Sequence, residues 1–267
     1  MLTIVHPTDL SVDEQSPFAH AVALASHANG ELVALHANRP GEAPVGDIDA
    51  KPLLKLWGRD QQMPFSLMKH SCCEDPIDTA LDALSRTTAD LLVVGTHQRT
   101  GLERAFKDSF SESLALETHL PTLFVPIDGK GVVDMGTGEL LLKKVLVPVG
   151  GTAALDRACD ATRMLLDSAE IDDAQIVLLH VGDDPFPDVK IDDKPGWTVE
   201  RVTRSGRIED AIVGYCEENG VDLVVMGTEG HSSVLDFLRG SRTERVLRRA
   251  ACPVLSVVMT ESPAASM

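Results

Sequence analysis

Aromatic residues, positive charge and long apolar runs are all scarce in this sequence of 267 residues. Phe, Trp and Tyr together make up 4% of it, so its cores must be built from Val, Leu, Ile and Ala, as in parallel α/β sheets. No apolar run approaches the roughly 18 residues that span a bilayer, which predicts a protein without a membrane segment. The net charge of −17 argues against nucleic acid or an anionic membrane as the main partner, since both attract basic surfaces.

Cysteine is also rare, and its count of five is odd. Cys159 and Cys216 occupy apolar helical positions and are interpreted as small buried hydrophobic residues. The vicinal pair Cys72-Cys73 has two readings, a redox element or two ordinary thiols, and a reducing compartment favours the second. No basic segment precedes the strand-like run Leu2–Val5, which predicts no secretory signal. We therefore expect a cytoplasmic protein.

The sequence repeats itself in four segments that occur in the same order. The matched pairs are TIVHPTDLS with KVLVPVGGT, LVALHA with IVLLHV, ADLLVVGTHQ with VDLVVMGTEG, and LPTLFVPI with CPVLSVVM. Such self-similarity indicates two copies of one structural unit. We predict a first domain over 1–128, a linker over 129–142, a second domain over 143–260 and a tail over 261–267. The linker is rich in glycine, has almost no core-forming periodicity and is predicted to be a surface connection.

Strand and helix patterns alternate within each unit. In the second unit, short β-branched runs predict strands at Lys144–Val149, Ile176–Val181, Trp197–Thr203, Val221–Met226 and Pro253–Met259. Apolar residues at helical spacing predict helices after the first strand, over 208–216 with Gly220 as the stop, and over Ser241–Ala250. The first unit follows the same order, with helices near Asp13–Asn29 and Asp75–Thr88. This alternation predicts a parallel sheet with right-handed crossovers in each unit.

Glycines follow the predicted fourth strand of the second unit, at the edge where ligands bind to open parallel sheets. The run Gly227-Thr228-Glu229-Gly230 comes first, and Gly240-Ser241 follows after nine residues. Glycine lets backbone amides approach an anion closely, and Ser241 is predicted to cap a helix whose first amides favour phosphate. The alternative is that these glycines are ordinary turn residues.

Hydroxyl and guanidinium groups surround the same segment. Thr243 adds a hydroxyl, while Arg239 and Arg242 flank the turn and are candidates to neutralise phosphate charge. The alternative reading is that the arginines between Arg239 and Arg249 only form a solvated helix face.

The spacing of these glycines resembles the ATP-binding motif of the universal stress protein family, and VLVPV, LHV and CPVLSVV are similar to that family as well. The resemblance covers nearly all of both units. It implies two repeated, doubly wound, Rossmann-like α/β domains, each with a five-stranded parallel sheet, and ATP, with or without Mg²⁺, across the strand ends. It places Gly227, Gly230, Gly240, Ser241 and Thr243 around the phosphates and Val149 and Val181 in the adenosine pocket. The full set of candidate nucleotide-binding residues also includes Pro148, Gly150, Met226, Thr228, Arg239 and Arg242.

The two units depart from the family pattern in different places. Nucleotide-binding members carry an aspartate after the first strand, which is Asp9 in the first unit and Gly150 in the second. The first unit keeps Gly95 but has Asp108-Ser109 where the second has Gly-Ser. A carboxylate at Asp108 would face the phosphates of a nucleotide. Two like charges about 4 Å apart repel by roughly 4 kcal/mol at an effective dielectric near 20. We therefore expect the first site to be degenerate and the second to keep its phosphate cradle.

Other chemistry has weaker support in the sequence. The nine histidines show no metal-ligand spacing and are interpreted as structural. No Gly-x-Ser-x-Gly, HExxH or Walker A motif is present. Glu229 and His231 could in principle orient a water for slow hydrolysis, but both are interpreted as exposed loop residues. We predict neither a catalytic residue nor a metal site.

The last strands of the units, Thr122–Ile127 and Val254–Met259, are apolar edges that need a partner. The resemblance implies that such edges pair domains, which predicts an internal pseudo-dimer and leaves a homodimer open. The expected function is that of a cytoplasmic stress-response protein that binds ATP or a related adenine nucleotide in its second domain and acts through its conformation or an unidentified protein partner. The alternatives are an interaction protein in which both sites have decayed and a slow ATPase.

Overall fold

The structure is a computed structural model that describes residues 1–11, 15–38, 46–59, 63–71, 75–96, 114–115, 117–118, 120–150, 154–191, 194–228 and 242–258. Within these residues the strands are β1 (Thr3–Pro7), β2 (Glu31–Asn38), β3 (Phe65–Ser71), β4 (Leu91–Thr96), β5 (Thr122–Pro126), β6 (Lys144–Val149), β7 (Ala174–Val181), β8 (Trp197–Arg204), β9 (Leu223–Thr228) and β10 (Val254–Val258). The helices are α1 (Gln15–His27), α2 (Lys51–Leu56), α3 (Pro76–Ser85), α4 (Ala154–Ser168), α5 (Ile208–Asn219) and α6 (Arg242–Leu247).

All of these strands belong to a single ten-stranded sheet with the order β3-β2-β1-β4-β5-β10-β9-β6-β7-β8. The strands are parallel within β1–β5 and within β6–β10, which confirms the predicted repeated five-stranded parallel sheet. The halves are joined by antiparallel pairing of β5 with β10, with Leu123 opposite Leu255. β5 and β10, the last strands of the two units, therefore cover each other's outer edges.

Local sequence signals explain where several helices begin and end. The side chain of Asp75 accepts a hydrogen bond of 2.8 Å from the Ile77 amide, and Pro76 occupies the first turn of α3. Gly220 ends α5 in the left-handed conformation with φ of 62°, as predicted. Gly227 and Thr228, which were expected in a loop, form the last two residues of β9.

An aspartate fixes the start of the first strand in both units. Asp90 Oδ2 accepts a bond of 2.8 Å from the Thr3 amide, and Asp222 Oδ2 accepts bonds of 2.9 Å from the amides of Lys143 and Lys144. These are the aspartates of the repeated ADLL and VDLV segments. Their repetition therefore reflects a structural role at the amino-terminal edge of the sheet.

The core consists of two apolar layers, one on each face of the sheet. The first layer packs α1, α2 and α4 against strands of both units, and the second packs α3, α5 and α6 against the opposite face. Both layers run through the junction of the units, since Leu123 and Leu255 lie in the first and Phe124 and Val254 in the second. The buried side chains are mainly Val, Leu, Ile and Ala, as the low aromatic content predicts.

The linker (129–142) runs along the surface, with most of its residues exposed, but it is also anchored in the core. Val132, Val133 and Leu142 in it are buried, with exposed fractions of 1%, 6% and 1%. Val133 and Leu140 form an antiparallel bridge, so the linker is a short hairpin. It packs on α1, in which every residue from Pro17 to Ala25 is buried. A helix that is apolar on all sides needs cover away from the sheet as well, and the linker supplies it.

Specific contacts hold the linker hairpin to the first unit. The Val132 amide donates to His20 Nε2 at 2.9 Å, and the indole N–H of Trp57 donates to Met135 O at 3.0 Å. Gly138 has φ of 71° and lies directly on the Trp57 ring, where a Cβ would overlap. The glycines of the linker thus permit close packing and a tight turn.

No helix in the described part of the chain is long and apolar enough to cross a membrane.

Candidate functional site

The first and fourth strands of each unit separate soon after they begin. Pairing of β6 with β9 is limited to Val145–Leu146 against Leu223–Val224, although the strands continue to Val149 and Thr228. These two strands are neighbours in the sheet, but the chain leaves them in opposite directions, toward β7 and β8 on one side and β10 on the other. Such a switch point is where doubly wound sheets bind ligands, at the carboxyl ends of the strands.

In each unit, a histidine on the second strand holds the end of the first strand, which lines this crevice. His180, near the end of β7, lies with Nδ1 3.4 Å from Val149 O and Nε2 3.2 Å from Asp184 O. In the first unit His36 occupies the matching position on β2, and its Nδ1 donates to Thr8 O at 2.8 Å. Both rings are buried and tie the end of the second strand to the end of the first. These contacts give the two repeated histidines a structural role.

Gly227 lies at the carboxyl end of β9 against the first residue of α4. A Cβ at this position would overlap the carbonyl oxygen of Ala154. Gly227 therefore lets the beginning of α4 approach the end of the sheet, so packing alone already requires glycine there. Gly150, on the other side of the crevice, is exposed and has no atom within 4 Å of where its Cβ would stand.

The remaining described residues of the predicted site have different exposures. Val149 and Met226 are each 6% exposed and belong to opposite core layers, while Val181 and Pro148 are half-buried. Thr243 is buried and Arg242 is exposed at the start of α6. The side chain of Thr228 and the residues Gly230, Arg239, Gly240 and Ser241 lie outside what the structure describes, as do Glu229 and His231.

Three arginines of the α6 region bind carboxylates instead of remaining free for a ligand. Arg245 Nε lies 3.1 Å from Glu209 Oε1, and Arg249 Nη1 lies 2.6 Å from Asp210 Oδ1, both on α5. Arg248 pairs with Glu244. The Glu209 side chain is only 7% exposed, which makes this network more than a solvated helix face. It joins α6, which directly follows the Gly240-Ser241 segment in the chain, to α5.

In the first unit, a histidine side chain crosses the corresponding split. β1 pairs with β4 only at Ile4–Val5, and the next residue, His6, donates from Nδ1 to Val93 O at 2.8 Å. The ring is fully buried beside Phe18, and burial lowers the pKa of His6 to about 4, so the imidazole is neutral at pH 7. The repeat places Val147 at this position in the second unit. Sequence reasoning missed this difference, although the repeat alignment contains it.

The loop after β1 holds the aspartate that the family pattern expects. Asp9 is exposed, and its Oδ1 accepts a bond of 2.8 Å from the Ser11 amide. Leu10 between them has φ of 61°, a left-handed conformation that is uncommon for a residue with a side chain. Gly95 lies within β4, and Asp108 and Ser109 lie outside the described residues. Among the residues described, no three His, Cys, Asp or Glu side chains are grouped as metal ligands.

The strand order, the paired halves and the split at each switch point define a doubly wound α/β protein built from two copies of one domain. The chain matches the Universal stress protein family over residues 1–126 and 189–257, which is well over half of its length. It therefore belongs to the universal stress protein family.

Known relatives agree with this assignment. Universal stress protein Slr1230 of Synechocystis sp. is 42% identical over 67 residues, which make up 25% of this chain and 23% of that protein. The chain thus spans less than a quarter of this relative. Universal stress protein MJ0531 of Methanocaldococcus jannaschii is 28% identical over 146 residues, covering 45% of this chain and 84% of that protein.

Two solved structures extend the likeness of the fold to the whole chain. A universal stress protein from Archaeoglobus fulgidus DSM 4304 superposes with a TM-score of 0.67 at 19% identity, covering 96% of this chain and 98% of the other. The functionally unknown protein PA1789 from Pseudomonas aeruginosa PAO1 has a TM-score of 0.57 at 12% identity, covering 96% and 92%. Both therefore share the arrangement of two units.

Proposed function

We propose that this protein is a stress-response protein that binds ATP or a related adenine nucleotide in the crevice between β6 and β9 of its second unit. The observation that carries the proposal is the separation of these two strands after Leu146 and Val224, at the switch point of a doubly wound sheet. The glycine motif begins at Gly227 on the rim of this crevice. Its later members, Gly240 and Ser241, directly precede α6, which the Glu209–Arg245 pair holds against α5.

We further propose that only the second unit binds nucleotide. In the first unit the His6 ring spans the split between β1 and β4, while the second unit has Val147 at that position. Asp108 also places a carboxylate where the motif of the second unit has Gly240. A carboxylate at the phosphate position repels the ligand electrostatically. Both differences favour a single nucleotide per chain.

Signalling by this protein is proposed to go through its conformation or a protein partner, in the cytoplasm. The pairing of β5 with β10 covers the edges that two separate domains would otherwise expose, so we propose that the chain is an internal pseudo-dimer. A nucleotide at the β6–β9 crevice lies one strand away from β10. A nucleotide bound there would therefore lie close enough to β10 to affect the junction of the two units.

A pure interaction protein is the second candidate, and Gly150 is the observation that favours it. The family pattern has an aspartate at this position, and Gly150 offers no side chain to the adenosine part of a nucleotide. A slow ATPase has less support, because no described residue in the crevice is placed as a general base.

Mass spectrometry of nucleotide released from the denatured protein tests the proposal. Protein purified from cells without added nucleotide should release ATP or a related adenine nucleotide, and ADP or AMP alone would favour the ATPase. The Gly240→Asp variant, which recreates the carboxylate of the first unit, should release none. Gly46→Asp is the matched control, since Gly46 is exposed and has no atom within 4 Å of its Cβ position. Absence of nucleotide from the wild type, with no thermal shift on adding ATP and Mg²⁺, would support the interaction protein instead.

A further inference from the structure

Two cysteine thiols lie close together at the amino-terminal edge of the sheet in the second unit. Cys216 lies in the last turn of α5, and Cys252 lies two residues before β10. They are 5% and 3% exposed, belong to the same core layer, and lie close enough to interact directly. The expectation that Cys216 is buried is thus confirmed, but it is not an isolated hydrophobic residue.

The internal repeat shows that packing does not require sulfur at these positions. Aligning ADLL with VDLV places Leu84 opposite Cys216, and aligning LPT with CPV places Leu120 opposite Cys252. Leu84 and Leu120 pack in the same layer of the first unit. Two leucines in one copy therefore correspond to two neighbouring thiols in the other.

The surroundings of the pair favour a thiolate on Cys252. The interaction with Cys216, assisted by the nearby Lys130 ammonium, lowers the pKa of Cys252, although burial and the Asp222 carboxylate act in the opposite direction. The interaction with Cys252, together with burial, raises the pKa of Cys216. Cys159 differs, since burial and the carboxylates of Asp156 and Asp160 raise its pKa to about 11.

We propose that Cys216 and Cys252 are a dithiol that a hydroperoxide oxidises to an intramolecular disulfide. The Cys252 thiolate attacks one peroxide oxygen and breaks the O–O bond, which gives a sulfenic acid and, for hydrogen peroxide, hydroxide. The Cys216 sulfur then displaces the sulfenic oxygen, which leaves as water with the Cys216 proton. Hydroxide takes the proton that Cys252 lost on ionisation. In total, two thiols and one hydrogen peroxide yield one disulfide and two waters.

The bond would close a loop that contains β9, the whole glycine motif and α6. Both cysteines lie at ends of elements, where the chain leaves α5 and where it enters β10. Covalent closure restricts the unfolded chain, so the oxidised protein should be the more stable form. The low exposure of both thiols restricts the oxidant to small peroxides. Formation of this disulfide does not depend on nucleotide binding.

Peptide mapping of the full-length protein after hydrogen peroxide treatment tests the proposal. The reduced protein is treated with hydrogen peroxide, the remaining thiols are alkylated, and the digest is analysed by mass spectrometry. We expect a linked Cys216–Cys252 peptide that is lighter by two hydrogens than the reduced pair. Dithiothreitol should separate the two peptides. The thermal unfolding midpoint of the oxidised protein should be several degrees higher than that of the reduced protein. Oxidised glutathione should give the link far more slowly.

Variants identify the cysteines involved. The link should persist in Cys159→Ser and in the double variant Cys72→Ser/Cys73→Ser, and it should disappear in Cys252→Ala. Peroxide treatment that leaves Cys216 alkylated while Cys252 accumulates as sulfinic acid would overturn the proposal, as would a disulfide confined to Cys72 and Cys73. Both outcomes are visible in the wild-type map, so the decision does not require a folded Cys252→Ala protein.

Discussion

The buried imidazole of His6 donates a hydrogen bond of 2.8 Å to the carbonyl oxygen of Val93, across the point where β1 and β4 stop pairing. His20 is similarly enclosed between α1 and the linker, where Nδ1 donates to Ser16 O and Nε2 accepts from the Val132 amide. Burial lowers the pKa of each ring to about 4. The fold therefore depends on two neutral histidines.

Acid should destabilise the protein between pH 6.5 and about pH 4. In this window the unfolded chain binds a proton at each histidine while the native rings stay neutral, so stability is complete above pH 6.5 and is lost as the pH falls toward the native pKa. The slope should approach about 1.4 kcal/mol per pH unit for each histidine. Urea unfolding at pH 7, 6 and 5 measures it, and His6→Val should reduce the slope. An equally steep slope in that variant would exclude His6 as a source.

Loss of the Asp222 carboxylate should destabilise the protein more than loss of its counterpart Asp90. Asp222 accepts two backbone amides and also pairs with Lys130 Nζ at 2.6 Å, whereas Asp90 accepts the Thr3 amide. We expect Asp222→Ala to cost about 3 kcal/mol, because it removes two backbone hydrogen bonds and an ion pair and leaves partly buried donors unpaired. Lys130→Met should cost about 1 kcal/mol or less, since the Lys130 side chain is half exposed. Chemical denaturation compares the variants, and equal costs for Asp222→Ala and Asp90→Ala would contradict this account.

Substitutions at two glycines with similar φ angles test how much the packing of the linker against Trp57 contributes to stability. Gly138 and Gly58 have φ of 71° and 65°, but only Gly138 lies on the Trp57 ring, and Gly58 has open space around its Cβ position. Gly58→Ala should cost about 1 kcal/mol for its left-handed conformation alone. Gly138→Ala should cost about 3 kcal/mol, because the methyl group displaces Trp57 from the linker. Unfolding free energies with tryptophan fluorescence as the probe distinguish the two, and similar costs would mean that the contact contributes little.

Much of this architecture was predictable from short-range patterns. The bounds of β6, Lys144–Val149, and the stop at Gly220 follow from β-branched runs and from glycine at a helix end. The role of the linker was not predictable in this way, because burial of Val132 depends on the outer face of α1, which is distant in the sequence. A signal existed nonetheless, since the run from Pro17 to Ala25 is apolar around the helix except for His20.

The site was predictable in its location and less so in its detail. The repeat and the glycines identify the strand ends that meet at the switch point, but they do not show that Gly227 is required by Ala154. Pairing of Arg245 and Arg249 with α5 is likewise a tertiary contact that helical spacing does not reveal. The positions of Gly240 and Ser241 stay predictions.

Restoring the aspartate of the family pattern should strengthen nucleotide binding. Gly150 is exposed, and no atom lies within 4 Å of its Cβ position, so Gly150→Asp fits without strain. A carboxylate that accepts a hydrogen bond from the ligand contributes about 1.5–3 kcal/mol, or roughly a tenfold or greater decrease in Kd for ATP. Isothermal titration calorimetry measures the change, and Gly150→Ala should leave Kd within about twofold. An unchanged or weaker affinity of Gly150→Asp would mean that this side of the crevice does not face the adenosine.

The stoichiometry of nucleotide binding is the most direct test of the central claim that one crevice, between β6 and β9, holds the ligand. Calorimetric titration of the whole chain with ATP and Mg²⁺ should give one nucleotide per chain, reduced to none by Gly240→Asp and unaffected by Gly46→Asp. Two nucleotides per chain, or one that persists in Gly240→Asp, would contradict the account.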